Sequence, residues 1–120
     1  MKISLQRVYD GSPVNVGKRV LVDRIWPRGI RKEELHLDLW LRELAPSTSL
    51  RKWFGHDPKR WEEFQRRYRA ELRQNEQQAR LHELLTLARQ GPVTLLYSAK
   101  DEEHNQAVAL RQVVEDSLKK

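Results

Sequence analysis

The chain has 120 residues and no cysteine, and its 23 Lys and Arg against 17 Asp and Glu leave a formal charge of +6. The length suits one α/β domain over residues 1–120 that buries a core without cross-links, and the missing cysteine excludes a thiol nucleophile, a disulfide framework and thiolate-bound zinc. No N-terminal stretch resembles a signal peptide and none approaches the roughly 20 apolar residues that span a bilayer, so a soluble cytoplasmic protein with no membrane partner is expected.

Residues 3–8 read as a first short strand, followed by a turn-rich stretch with Asp10-Gly11-Ser12-Pro13 and Asn15-Val16-Gly17. Residues 19–23 form a second strand, buried on both faces because Val20, Leu21 and Val22 offer no polar alternation. The link between the two is short for a helical crossover. They are therefore either an antiparallel pair or separated by another strand. A helical turn at 32–35 precedes Leu37, Trp40, Leu41 and Leu44 at helical spacing, a segment stopped by Ala45-Pro46. Ser47 can cap a short helix ending at Gly55, and Asp57-Pro58 marks the start of a helix with Trp61, Phe64, Tyr68 and Leu72 on one face. A further helix covers about 76–89 before Gly91-Pro92. Residues 93–97 give a third, continuous apolar strand, and a last helix is expected over about 101–118. The predicted architecture is α/β: a small, mainly parallel three-stranded sheet (about 3–8, 19–23 and 93–97) packed by four or five helices.

If the strands at 19–23 and 93–97 are parallel neighbours, their exit loops share one sheet edge, where open α/β sheets bind ligands. That would gather Asp23, Arg24, Trp26 and Arg28 near Tyr97, Ser98, Lys100 and Asp101, with Phe54-Gly55-His56-Asp57 as a third wall. Arg24 and Arg28 are candidates to clamp an anion, with Lys100 beside them and Trp26 or Tyr97 to stack on a ring. His56, His104 and Asp23 are the candidates for proton transfer. Each has an ordinary alternative: Asp57 is a helix cap, and the arginines could be neutralised by Asp101, Glu102 and Glu103. No H-x-x-E-H or H-x-x-x-H pattern, G-x-S-x-G elbow, G-x-G-x-x-G or Walker sequence occurs, so neither a metal site nor a standard nucleotide fingerprint is expected and no cofactor is indicated.

Four segments carry a resemblance: Arg19-Val20-Leu21-Val22-Asp23-Arg24-Ile25-Trp26-Pro27-Arg28-Gly29-Ile30, Leu44-Ala45-Pro46-Ser47, Leu50-Arg51-Lys52-Trp53-Phe54-Gly55-His56-Asp57-Pro58, and residues 93–105 from Val93 to Asn105. Together they resemble the YeaO-like branch of a bacterial and archaeal family, domain of unknown function 488, along nearly the whole chain. The resemblance implies a compact, free-standing α/β domain and supplies no reaction or catalytic residue. The leading functional expectation is therefore a cleft at the strand C-terminal edge for a small anionic or nucleotide-like ligand, with enzymatic turnover left open. The alternative is a non-catalytic module that binds nucleic acid or an acidic protein through a stripe of Lys59, Arg60, Arg66, Arg67 and Arg73. Nucleic acid is the less favoured partner, because the basic residues are interleaved with glutamates. A third reading keeps Arg24 and Arg28 as members of internal ion pairs. Oligomeric state is not legible in the sequence.

Overall fold

A computed structural model describes residues 3–10 and 17–119; the turn-rich reading of 11–16 lies outside the described residues. Strands β1 (Ile3–Arg7), β2 (Lys18–Leu21), β3 (Leu39–Trp40) and β4 (Val93–Tyr97) form one sheet in the order β1-β4-β2-β3. Every neighbouring pair is parallel, with Ile3 and Lys18 both opposite Val93, and Val20 opposite Leu39. The first two strands are thus not a hairpin. β4 lies between them, and the expected parallel pairing of β2 with β4 holds.

The helices are α1 (Lys32–Leu35), α2 (Thr48–Phe54), α3 (Trp61–Leu72), α4 (Asn75–Gln90) and α5 (Gln106–Leu118). Their boundaries follow local chemistry. Ser47 Oγ accepts the Leu50 N–H, and Gly55 closes α2 at φ +52°. Asp57 accepts the Lys59 N–H ahead of a 3₁₀ turn, Pro58–Arg60, that leads into α3.

Two expectations need correction. The segment carrying Leu37, Trp40, Leu41 and Leu44 is not a helix: Leu39–Trp40 is an edge strand and Arg42–Leu44 a 3₁₀ turn. The free edge of β2 decides this, because its carbonyls would otherwise lack partners. Leu21 O accepts from Leu41 N at 3.0 Å and Arg19 O from Asp38 N at 2.9 Å. The sheet accordingly has four strands rather than three. The last helix starts at Gln106, not near Asp101, because the Asn105 side chain accepts the Ala107 and Val108 N–H groups and sets the cap there. Asp101 instead accepts from the Glu103 and His104 backbone N–H groups, closing a separate turn.

Strand alternation distributes the core to both faces. Val20, Val22, Val93, Leu95 and Tyr97 pack with the inward residues of α2 to α5, including Phe54, Phe64, Leu84 and Leu110. Leu21 and Leu96 face the other way, with Leu35, Trp26, Ile30 and Trp40. Val20, Leu21, Leu95 and Leu96 are fully buried, each contributing about 1.5–3 kcal/mol relative to exposure. After β2 the chain passes to α1 on the second face, and after β4 to α5 on the first. The carboxyl ends of these adjacent strands are therefore a switch point, where departing chains diverge and leave a crevice.

Candidate functional site

A cleft of about 710 Å³ opens at that edge. Its deepest charged residue is Asp23, two positions beyond β2 and only 7% exposed. Asp23 is held from both sides. Its backbone carbonyl accepts the Trp40 indole N–H at 2.7 Å, while its carboxylate meets the β4–α5 loop and α5. Oδ2 accepts from Ser98 N at 3.1 Å and Ser98 Oγ at 2.5 Å, and Oδ1 accepts from Gln106 Nε2 at 2.6 Å. Burial pushes the Asp23 carboxyl above its ordinary range, with the Ser98 and Gln106 hydrogen bonds and the charge of Arg51 acting the other way.

Four cations line the same space: Arg24, Arg51, Lys52 and Lys100. Among the described residues, none has a carboxylate within ion-pair distance, whereas Arg66 and Arg67 on α3 share Glu63, and Arg80 on α4 takes Glu83. Arg24 is engaged differently. Its Nε and Nη2 donate to the carbonyls of Pro46 and Ala45, each at 3.1 Å, which leaves Nη1 and one Nη2 proton uncommitted. The alternative reading, in which carboxylates neutralise Arg24 and Arg28, finds no such ion pair among the described residues.

His56 and His104 also line the cleft, with Phe54 and Phe64 supplying apolar wall. His56 sits at φ +56°, an uncommon left-handed conformation for a side-chain-bearing residue. His104 Nδ1 lies 2.9 Å from Asp101 Oδ2, and its ring meets Trp61 edge-on at 5.4 Å. Hydrogen bonds from the Glu103 backbone and from His104 hold the Asp101 carboxyl below its ordinary range.

Asp23, Arg24, His56, Lys100 and His104 are therefore brought together. Trp26, Arg28 and Tyr97 are not among the lining residues. Trp26 is committed to the opposite sheet face, donating to Ile30 O at 2.6 Å and packing edge-on against Trp40 at 5.5 Å. Arg28 is exposed, and its carbonyl accepts the Tyr9 hydroxyl at 2.8 Å. Tyr97 is buried in the helix-facing core, and burial raises its hydroxyl above the usual range. The sequence reading missed Arg51, Lys52 and Gln106. A signal for the first two exists: neither has an acidic residue three or four positions away, unlike Arg66 and Arg67 of α3. Among the described residues, no group of three or more His, Cys, Asp or Glu is placed to hold a metal ion. No described helix is long and apolar enough to cross a membrane.

Comparison with known proteins agrees with this chain's motifs. It is 46% identical to the uncharacterized protein YeaO of Escherichia coli K12 over 110 residues, 92% of this chain and 94% of that protein. It is 38% identical to the uncharacterized proteins Mb3100c of Mycobacterium bovis and Rv3073c of Mycobacterium tuberculosis H37Rv, over 94% of this chain and 93% of each. No solved structure gives a significant match. The DUF488-N3i profile, described as the inactive DUF488-N3 subclade, matches residues 2–120, and the chain belongs to this YeaO-like DUF488 family.

Proposed function

We propose that this protein binds a small anionic ligand, phosphorylated or nucleotide-like, in the cleft at the carboxyl ends of β2 and β4. The observation that carries the reading is the set of four cations, Arg24, Arg51, Lys52 and Lys100, converging on one concave space with no carboxylate of the described residues at ion-pair distance from any of them. Two carboxylates share the space. Asp101 is engaged by the His104 ring and two backbone N–H groups, and Asp23 by Ser98 and Gln106, so the net field favours an anion. The family's description as an inactive subclade supports binding without turnover, in which Asp23, His56 and His104 act as ligand contacts rather than proton carriers.

The nucleic-acid reading has less support, because three of the five cations in that stripe are already ion-paired. Glu63 takes Arg66 and Arg67, and Asp57 lies 3.8 Å from Arg60. Arg60 and Arg67 also lie over the Trp53 ring.

Titration calorimetry with inorganic phosphate and with a nucleoside monophosphate tests the proposal. Arg51→Ala and Lys100→Ala remove exposed side chains, so each should leave the melting temperature within a degree or two. Each should weaken binding roughly tenfold, corresponding to about 1.5 kcal/mol for a charge-assisted hydrogen bond. Absence of binding at millimolar ligand, or binding indifferent to both substitutions, overturns the reading.

A further inference from the structure

The polar groups of the cleft are sorted by depth. Arg51, Lys52 and Lys100 are exposed, whereas Asp23 is buried and Ser98 and Gln106 are half-buried behind them. The inner three spend donors on one another. The Ser98 hydroxyl proton goes to Asp23 Oδ2, as does the Ser98 backbone N–H, which fills both lone-pair sites of that oxygen. Gln106 donates through Nε2 to Asp23 Oδ1, an orientation that turns its Oε1 away from the carboxylate. What remains is predominantly acceptor: one site on Asp23 Oδ1, the lone pairs of Ser98 Oγ, and Gln106 Oε1, against a single uncommitted Gln106 N–H. An anion has nothing to gain from that floor and is repelled by Asp23. A group rich in N–H donors matches it.

We infer that the ligand is bipolar: an anionic group held at the rim by Arg51, Lys52 and Lys100, joined to an amine or N–H-rich group seated on the acceptor floor of Asp23, Ser98 and Gln106. This deepens the anion-cleft reading and rests on it. It makes Asp23 and Gln106 the residues that determine specificity, and it gives the buried carboxylate a role that anion binding alone leaves unexplained.

Two matched ligand pairs test it by calorimetry on the full chain: phosphoethanolamine against ethyl phosphate, and GMP against IMP, which lacks the 2-amino group. The amine-bearing member of at least one pair should bind about tenfold more tightly. Asp23→Asn should abolish that preference while leaving affinity for the amine-free member unchanged or improved. Gln106→Lys sets a fixed ammonium where Gln106 now donates to Asp23 and so occupies the acceptor floor, and it should abolish the same preference even if Asp23→Asn fails to fold. If phosphates bind but neither pair is discriminated, or the preference survives in Gln106→Lys, the bipolar inference falls and the anion cleft stands. If none of the four compounds binds, both fall.

Discussion

Gly17 and Gly55 both sit at positive φ, +72° and +52°, yet their surroundings differ. A Cβ on Gly17 would lie 1.9 Å from the Pro92 carbonyl oxygen, whereas at Gly55 the nearest atom is 3.6 Å away. The close approach at Gly17 is built into the sheet, because the next residue, Lys18, donates its N–H to that same Pro92 oxygen at 3.1 Å. Gly55→Ala should therefore cost about 1 kcal/mol from backbone strain alone. Gly17→Ala should cost several times more, since β2 must shift away from β4, and parallel urea melts of the two variants would check the ranking. At Asp23 the residue-scale expectation concerns pH. Its carboxyl is ordinarily half-ionised at 3.8 and is raised in the folded state, so the folded chain binds more protons through that window. Its contribution to stability is greatest below the ordinary value and is lost as pH rises through the raised one. The unfolding free energy of the wild type relative to Asp23→Asn should thus decline as pH rises from about 4, a slope that chemical denaturation at several pH values would reveal. Asp101, whose carboxyl is lowered, has the opposite sign: its contribution is present above the ordinary range and is lost as pH falls through its folded value.

Where the 3₁₀ turn Arg42–Leu44 leads into α2, the segment Leu44-Ala45-Pro46-Ser47 is anchored by side chains from two other parts of the fold. Tyr68 of α3 donates to Leu44 O at 2.5 Å, Arg24 donates to Ala45 O and Pro46 O, and Glu71 of α3 accepts from Ser47 N and Oγ. These bonds set where α2 begins, and α2 carries Arg51 and Lys52 to the cleft. Tyr68→Phe should cost about 1–2 kcal/mol, because it leaves a buried carbonyl without a donor. Arg24→Ala should lower both the melting temperature and phosphate affinity, in contrast to Arg51→Ala, which should lower affinity alone. Thermal melts paired with calorimetry on the two variants separate these outcomes. The element scale also shows where local pattern misleads. The apolar spacing of residues 37–44 satisfies a helix as well as a strand followed by a tight turn, and only the unfilled edge of β2 selects the latter. By contrast, Ser47, Gly55 and Asp57 act as caps or terminators where the sequence places them, since capping is a contact over two or three residues and needs no distant partner.

Taken as a molecule, the protein depends most on its central strands. Leu95 of β4 is fully buried on the helix-facing side, while Leu39 of edge strand β3 is only partly buried. Leu95→Ala should cost about 2–5 kcal/mol and Leu39→Ala distinctly less, measurable as a difference in denaturation midpoint. The α/β class and the parallel pairing of β2 with β4 were legible in the chain, and with them the expectation that Asp23, Arg24, Lys100 and the His56 loop share one sheet edge, because strand composition and interleaved helices restrict a short parallel sheet to few arrangements; that His104 joins them was not. The divergence of Trp26 from Arg24, two residues away in the same loop, was not. It follows from the additional edge strand β3, whose Trp40 gives the Trp26 ring a packing partner on the opposite face. Composition, caps and apolar runs by themselves determined the class of fold and most helix limits, because these rest on local or repeated features, while the long motif segments carried the family resemblance. Which cations stay unpaired, and that a buried acid with its donors already spent lies behind them, was decided only by the tertiary structure. Charge neutralisation and hydrogen-bond saturation depend on partners such as Ser98 and Gln106, which lie 75 and 83 residues from Asp23 along the chain.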